Sequence, residues 1–360
     1  MENETPGPAE SAEIPKENTN PAAASPTHSL EDLQWMEGIA PENRVNVTPV
    51  FDTVLRVHDE IEKVIVGQNE LVELLMAGLL VGGHVLLEGL PGIAKTLTAK
   101  LLAKTIDADF SRIQFTPDLM PTDVSGTSVF NVKDSNFYFR KGPIFSNIIL
   151  IDEINRSPAK TQAALMEVME ERQLTYDGVT YPMDFPFFVI ATQNPIEQEG
   201  TYSLPEAQLD RFIFRLKLNY PSLEHEQMIL HRFESDFNTR QSAEVHKVAG
   251  KSDLQTFRDL IEKVYIRKEL LNYIAHVVHN TRNNGDLHMG ASPRASLSIM
   301  KAAKALAAIR GREFVTPDDI KRACIPVLNH RIILSHEREM EGHTVEEIIT
   351  NILSTIEIPR

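Results

Sequence analysis

The sequence predicts an α/β protein with a parallel five-stranded sheet, two inserted β-hairpins and an all-helical second domain. Five short runs of β-forming residues alternate with helical patterns, and some of these runs are apolar throughout, as in sheets covered on both faces. Beyond residue 220 only helical patterns recur. The 360 residues, 42% of them hydrophobic, suffice for two domains with substantial cores.

The first 45 residues stand apart from this pattern. Between Met1 and Arg44 nine acidic residues face only Lys16 and Arg44, which gives a net charge of 2 − 9 = −7. The segment is rich in Pro, Ala, Glu, Asn and Ser and has too few apolar residues to form a core. We therefore expect a disordered acidic tail over residues 1–45.

The composition also limits the function and the location of the protein. A net charge of −15 and a pI near 5.3 work against generic attraction to nucleic acid or anionic membranes, although a local basic patch stays possible. The longest apolar run, 74–87, is too short to span a membrane, and the amino terminus does not resemble a secretory signal. We expect a cytoplasmic protein without membrane insertion. The single cysteine, Cys324, excludes an intramolecular disulfide.

The domain predicted over residues 46–220 begins with helices and continues as alternating strands and helices. Val54, Val57, Ile61 and Val64 or Ile65 recur at helical spacing, and a second helix is expected over 69–81. Further helices are expected over 97–105 and 157–172, the latter capped by Ser157. The predicted strands cover residues 85–89, 111–115, 147–152, 187–192 and 212–218.

Two segments interrupt this alternation. Residues 175–181 alternate around Asp177-Gly178, a strong two-residue hairpin signal. Residues 128–141 predict a second hairpin that turns around 134–136. After Tyr220-Pro221 only helices are expected, which places a helical lid domain over residues 221–360.

The stretch Gly89–Thr96, GLPGIAKT, follows a predicted strand and precedes a helix. It matches the phosphate-loop pattern G-x-x-x-x-G-K-[ST] except that Ala94 replaces the second glycine. Such a loop presents backbone N–H groups to phosphates, while a lysine and a hydroxyl address the terminal phosphate and Mg²⁺. Ala94 falls where the chain enters the helix, and if φ there is negative, a methyl group is tolerated so long as it does not touch the phosphates. Alone, the string fits an ordinary glycine turn equally well.

The acidic pair Asp152-Glu153 decides between these readings. It ends a buried strand about 55 residues downstream, where Asp152 would hold Mg²⁺ together with the Thr96 hydroxyl. Glu153 would polarise the attacking water. An exposed turn is the common alternative for two adjacent acids, but four apolar β-formers precede this pair.

Three further polar residues are candidates for the same chemistry. Asn194 follows the fourth strand and would orient the water, although an Asn-Pro turn is a very common alternative. Arg211 and Arg294 would stabilise charge on the phosphate oxygens. An arginine without such context is more often a solvated surface residue.

From about residue 46 to its carboxyl end the chain closely resembles the MoxR family of AAA+ ATPases. The motifs that carry the resemblance appear in family order: IVGQ (65–68), GLPGIAKT (89–96), FTPDLMPTDVSG (115–126), IDEINRSPAKTQAALMEVMEE (151–171), ATQNP (191–195), LPEAQLDRF (204–212), GASPRA (290–295) and FVTPDDIKRACIPVLNHRI (314–332). The family usually has an alanine at the position of Ala94, so the resemblance favours a nucleotide site.

The resemblance implies a role for each matched residue. Lys95 and Thr96 look like the Walker A pair, and Asp152 and Glu153 like the Walker B pair. Asn194 resembles sensor 1, Arg294 sensor 2 on the lid, and Arg211 the arginine finger supplied to a neighbouring subunit. The predicted ATP contacts are Val66, Gly67, Gln68, Gly89, Leu90, Pro91, Gly92, Ile93, Ala94, Lys95, Thr96, Leu97 and Asp152.

A finger that acts in trans implies a homo-oligomeric ring, usually a hexamer. The family resemblance also implies remodelling of protein clients, often proteins with a von Willebrand factor A domain, through the hairpins and aromatics such as Phe130, Tyr138, Tyr176 or Tyr181. Packing within the hairpins is an equally good reading of these aromatics. A chelatase-type metal-insertion motor and a nucleic-acid translocase are the alternatives, and the acidic composition argues against the second.

Overall fold

The structure, a computed structural model, describes residues 44–90, 92–133, 135–194, 202–234 and 245–359. All but the last two residues of the predicted acidic tail lie outside the described residues. The same holds for Pro91, one of the predicted ATP contacts, and for Asp134 in the predicted hairpin turn. No helix in the described part of the chain is long and apolar enough to cross a membrane.

A five-stranded parallel sheet forms the centre of the first part of the chain. Its strands, numbered along the whole chain, are His84–Gly89 (β1), Phe110–Gln114 (β2), Ile148–Asp152 (β5), Phe188–Gln193 (β8) and Phe212–Leu218 (β9). They lie side by side in the order β2-β5-β8-β1-β9. The predicted parallel sheet is therefore confirmed, with each strand within one residue of its expected bounds.

Helices cover both faces of this sheet. Neighbouring residues of each strand point to opposite sides, and since both are apolar in the central strands, both faces of the sheet are buried under helices. Val85 and Leu87 contribute to one apolar cluster, whereas Leu86 between them contributes to the other. The helices in this part of the chain are Thr48–Glu62 (α1), Asn69–Leu80 (α2), Lys95–Thr105 (α3), Pro121–Ser125 (α4), Ala159–Glu171 (α5) and Glu206–Leu209 (α6). Short 3₁₀ turns occupy Pro143–Phe145 and Ile154–Arg156.

The expected cap of α5 is wrong. Pro158 occupies the N-cap position in an extended conformation with ψ of 149°, so the helix begins one residue beyond it. The Ser157 hydroxyl is buried and has no hydrogen-bond partner among the described residues. A proline with this ψ carries the chain away from the helix axis, and therefore the serine before it does not reach the first-turn N–H groups.

Both predicted hairpins are present as antiparallel insertions. Gly126–Asn131 (β3) pairs with Asn136–Lys141 (β4), and Gln173–Tyr176 (β6) pairs with Val179–Pro182 (β7). In the second hairpin Asp177 and Gly178 both have positive φ, 50° and 77°, as the two-residue turn requires.

The remaining chain forms mostly helices, as expected for the lid. They are Leu223–Phe233 (α7), Lys251–Glu262 (α8), Lys268–Arg282 (α9), Pro293–Ile309 (α10), Pro317–Leu328 (α11), His336–Met340 (α12) and Val345–Thr355 (α13). The lid is not wholly helical, because Leu287–Met289 (β10) and Ile333–Leu334 (β11) pair as two short antiparallel strands. Helix α10 packs against α2 and α11. The boundary expected at residue 220 stays a prediction.

The buried histidine His84, at the start of β1, links three elements of the fold. Its Nδ1 accepts a hydrogen bond from the Val189 N–H at 3.0 Å, so the neutral ring donates from Nε2 to the Met169 carbonyl at 3.2 Å. Burial lowers the pKa of His84 to about 4. The protein therefore holds this imidazole neutral over a pH range in which an unfolded chain would charge it.

This histidine predicts a specific loss of stability in acid. Below its unfolded pKa of about 6.5 the unfolded chain gains a proton that the folded chain refuses until about pH 4. Stability contributed by neutral His84 is thus complete above pH 6.5 and falls as the pH drops, by about 2–3 kcal/mol at pH 4.5. Urea unfolding at pH 7 and 4.5 measures this loss.

The control for this measurement is His84→Gln, which keeps a donor and an acceptor but cannot titrate. Its free energy of unfolding should be lower at pH 7 but should fall less between pH 7 and 4.5. An equal fall in both proteins would show that other groups cause the acid sensitivity.

Candidate nucleotide-binding site

The loop Gly89–Thr96 connects the end of β1 to the start of α3. Gly92 has a φ of 86°, and a side chain there would meet no atom within 4 Å. Gly89 packs closely instead, because a Cβ at this position would lie 2.8 Å from the Leu218 carbonyl oxygen. Leu90 and Thr96 are half-buried, and Leu97 packs against the core. The loop is therefore braced at one end and open in the middle.

The condition of a negative φ at Ala94 is not met. Ala94 is left-handed, with φ of 57° and ψ of 20°, and serves as the N-cap of α3. Its carbonyl accepts hydrogen bonds from the backbone N–H of Thr98 at 2.9 Å and from the Thr98 hydroxyl at 3.0 Å. A left-handed residue beside right-handed ones turns successive N–H groups to one side, which forms a concavity for anions. This geometry explains why a glycine is common at such a position.

Lys95 begins α3, and its ammonium group lies near the acidic pair. Its Nζ donates a hydrogen bond to the Gly89 carbonyl at 2.7 Å. Partial burial lowers the pKa of Lys95, while the negative charges of Asp152 and Glu153 oppose that shift. The two predicted motifs therefore come together in the fold.

Gln68 supports the loop from the side. Its amide nitrogen donates to the Ile93 carbonyl at 2.7 Å, and its amide oxygen accepts from the Thr98 hydroxyl at 3.1 Å. Gly67 has φ of 75° and leaves no room for a side chain, since a Cβ there would lie 2.5 Å from the His225 ring. Val66 is buried.

A cleft of about 660 Å³ opens beside this support, between the start of α2, the end of β9 and α11. Among its lining residues are Gly67, Gln68, Leu218, Tyr220 and Arg322. Gln68 donates to the Ile93 carbonyl and Leu218 pairs with Gly89 on the neighbouring strand, so two of the cleft's lining residues border the phosphate loop. Gly67 and Gln68 are among the ATP contacts predicted from the sequence, whereas Leu218, Tyr220 and Arg322 are not.

The acidic pair stands at the end of β5, near the middle of the sheet. Asp152 is buried, and one of its carboxylate oxygens, Oδ1, accepts a long 3.4 Å hydrogen bond from the Thr192 hydroxyl. Glu153 has φ of 58°, and its backbone N–H donates to the same hydroxyl at 3.0 Å. Thr192 on β8 thus fixes the turn that separates the two carboxylates.

The neighbouring strand β2 holds both acids, which the sequence did not reveal. The Arg112 Nε donates to Asp152 Oδ2 at 2.6 Å, and the Gln114 amide donates to Glu153 Oε2 at 2.8 Å. Arg156 also pairs with Glu153, at 3.1 Å. In the sequence, polar residues two positions apart on a strand, such as Arg112 and Gln114, indicate only a face exposed to solvent. The signal that could have found them is their strand's position beside the acidic strand.

Asn194 lies one residue beyond β8, at the same edge of the sheet as the loop and the acids. In this sheet β8 lies between β1 and β5, with Gln193 paired to Glu88 and Ala191 paired to Ile151. The strand order therefore brings Asn194 to the edge that the sequence predicted.

Arg211 and Arg294 lie at the opposite edge. Arg211 precedes β9, whose first residue, Phe212, pairs with His84 at the start of β1. His84 is five residue steps from Gly89, and Arg211 lies one residue further back than Phe212, so about six rises of about 3.3 Å, or about 20 Å, separate Arg211 from the level of Gly89. Arg211 cannot reach the phosphate loop of its own chain.

The two arginines share an acidic partner that the sequence did not identify. Arg211 donates to the Met166 carbonyl and lies 3.9 Å from Glu170. Arg294 pairs with the same Glu170 at 2.9 Å and lies 3.8 Å from Asp210. The structure thus brings Arg211 and Arg294 together with each other and keeps both away from Lys95.

Comparison with known proteins places the chain in a family. Residues 84–214 match the model of the ATPase family associated with various cellular activities (AAA), and residues 279–352 match an AAA lid domain. The uncharacterised protein YeaC of Bacillus subtilis is 45% identical over 84% of this chain and 93% of its own length.

The chaperone MoxR1 of Mycobacterium tuberculosis is 41% identical over 94% of this chain and 88% of its own length. A crystal structure of a protein from Cytophaga hutchinsonii, provisionally assigned as an ATPase, superposes with a TM-score of 0.81 at 45% identity. That match covers 91% of this chain and 99% of the other. The loop, the acidic strand end and the helical lid described above are accordingly those of a member of the MoxR family of AAA+ ATPases.

Proposed function

We propose that this chain hydrolyses ATP in a Mg²⁺-dependent reaction and uses the energy to remodel protein clients. One observation carries the ATPase proposal: a phosphate-loop lysine, Lys95, lies within electrostatic reach of the two acids at the end of β5. Anion-binding backbone, a cation and two carboxylates at one sheet edge are the parts that phosphoryl transfer to water needs.

The donor set fits a hard divalent cation. Among the described residues, Asp152 offers a carboxylate whose Oδ1 accepts only a long hydrogen bond, and the half-buried Thr96 offers a hydroxyl at the start of α3. When bound, Mg²⁺ would neutralise charge on the phosphate oxygens. Thr96 and Asp152 would hold it, and the loop N–H groups with Lys95 would bind the phosphates.

Glu153 is the proposed group that polarises the attacking water, with Asn194 orienting it. In the described structure Glu153 Oε2 accepts from Gln114 and faces Arg156. Both contacts occupy the same carboxylate oxygen of Glu153. Hydrolysis would therefore require Glu153 to exchange at least one of these partners for water.

A complete site on this proposal needs a second copy of the chain. Arg211 and Arg294 sit about 20 Å from their own phosphate loop, so they would reach the ATP of a neighbour. A closed ring, hexameric as in the resemblance, gives every loop such a neighbour.

Client contact is proposed for the tip of the β3–β4 hairpin. Tyr176 and Tyr181 stack on Phe139 at 4.7 and 4.8 Å and thereby join the two hairpins, so they are packing residues. Phe130 and Phe137 instead lie together at the surface, 48% and 70% exposed. An exposed aromatic pair on a projecting hairpin favours a protein-binding role. Von Willebrand factor A domain proteins are the proposed clients, on the family resemblance.

The ATPase proposal is tested by phosphate release from ATP with and without Mg²⁺. The purified chain should release phosphate only with the metal, and Lys95→Met should abolish this release because it removes the cation that binds the phosphates. Lys100→Met, an exposed lysine on the same helix, is the matched control. Equal activity in the chain and in Lys95→Met would contradict the proposal.

A further inference from the structure

Arg112 occupies the carboxylate that the proposed function assigns to the metal. Its Nε lies 2.6 Å from Asp152 Oδ2, a distance typical of a strong charge-assisted hydrogen bond. Asp152 is only 11% exposed, whereas Arg112 is 54% exposed and belongs to the edge strand of the sheet. The Asp152 carboxylate is thus held inside the fold, whereas the Arg112 side chain borders solvent and can turn towards it.

Arg112 and a metal ion would compete for the same negative charge. A buried carboxylate without a cation is costly, and the Arg112 guanidinium removes that cost in the metal-free chain. Lys95 already supplies one positive charge beside Asp152. With Mg²⁺ added, a third cation at this carboxylate would be repelled.

We propose that Arg112 is a stand-in cation: it neutralises Asp152 in the metal-free chain and releases it when Mg²⁺ arrives with ATP. The inference rests on the proposed Mg²⁺-dependent ATPase and assigns a positioning role to a residue on β2. Arg112 acts through Asp152 and does not itself touch the reacting atoms.

The release would reach the second acid through one shared neighbour. Arg112 Nη2 lies 3.5 Å from the Gln114 amide oxygen, and the amide nitrogen of Gln114 donates to Glu153. When Arg112 leaves, Gln114 loses one of its two charged neighbours and can turn. Metal binding at Asp152 would thereby loosen the hold on Glu153.

The signature of a stand-in cation is the ratio of nucleotide affinities with and without metal. Without Mg²⁺, the wild-type chain presents a neutralised Asp152 to the phosphates, whereas Arg112→Gln presents a bare carboxylate that repels them. With Mg²⁺, both present a metal-bound carboxylate, and Arg112→Gln no longer has to displace the guanidinium. In Arg112→Gln, the nucleotide affinity with Mg²⁺ divided by the affinity without it should therefore be about two- to fivefold higher than in the wild type. This range corresponds to the energy of partly exposed ion pairs.

The experiment is an equilibrium titration of a fluorescent ATP analogue, in EDTA and in saturating Mg²⁺, on the full chain. Arg112→Lys, which keeps a cation, should retain a ratio close to that of the wild type. Arg338→Gln is the matched control, because it removes a similar partly exposed pair, Nε to Asp286 Oδ1 at 2.8 Å, on the lid. Its ratio should equal that of the wild type.

The outcomes separate this inference from the function on which it rests. An unchanged ratio in Arg112→Gln, with both affinities equally reduced, would show that Arg112 only attracts the phosphates and would overturn the inference alone. Failure of the wild-type chain to bind the analogue in either buffer would overturn the proposed ATPase as well.

Discussion

Replacing Arg211 with alanine is expected to lower the rate of ATP hydrolysis by about 10³- to 10⁵-fold while leaving ATP binding nearly unchanged. The reason is geometric: Arg211 stands at the far edge of the sheet from its own loop, so on the proposed arrangement it would reach a phosphate only in a neighbouring subunit. Steady-state turnover and the affinity for an ATP analogue measure the two effects. Loss of binding with loss of turnover would place Arg211 in its own subunit's site.

A mixing experiment sharpens this prediction. Arg211→Ala and Glu153→Gln should each be inactive alone, since one lacks the donated arginine and the other lacks the group that polarises water. In mixed oligomers some interfaces combine an intact Arg211 with an intact Glu153, so activity should reappear on mixing. If the mixture stays inactive although the two variants co-assemble, the two residues do not act across an interface.

Replacing Glu153 with glutamine is expected to lower hydrolysis by about 10²- to 10⁴-fold without loss of ATP binding. The amide keeps the shape of the side chain but cannot accept a proton from the attacking water. Phosphate release and nucleotide binding measure the change. A variant that still turns over ATP at the wild-type rate would remove Glu153 from the proposed chemistry.

The same variant serves as a trap for clients. Purified from its native cells with ATP, Glu153→Gln should retain client proteins and release them with ADP. Adding Phe130→Ser and Phe137→Ser to the trap should abolish this retention, because the substitutions remove the exposed aromatic pair. Met340→Ser, at an 88% exposed apolar residue of the lid, is the control. Retention of nucleic acid instead of protein would favour a translocase.

The sheet could be predicted from the sequence because its signals are local. The run 148–151 is apolar throughout, as a central strand covered on both faces requires, and Asp177-Gly178 specifies a hairpin turn. The phosphate loop and the acidic pair were found for the same reason, since each is a short string at the end of a strand.

The rest depends on contacts between residues distant in sequence. Nothing near Glu170 indicates that it pairs with Arg294, 124 positions away, and nothing in the run 111–115 shows that Arg112 meets Asp152. The sequence also does not predict the backbone conformation of Ala94. Its positive φ is imposed by the loop as a whole, because an alanine alone favours a negative φ. The short pairing of β10 with β11 has too few residues to leave a periodic signal.

The length of the strands has a consequence for how ATPase activity should depend on protein concentration. Each chain presents its phosphate loop at one edge of the sheet and its two arginines at the other, about 20 Å apart. It could therefore receive an arginine from one neighbour and donate its own arginines to another. On the proposed arrangement, two chains joined in this way would share one complete site, an open row of six would have five, and closing that row would add the sixth. Specific activity should therefore climb with concentration and level off when the rows close.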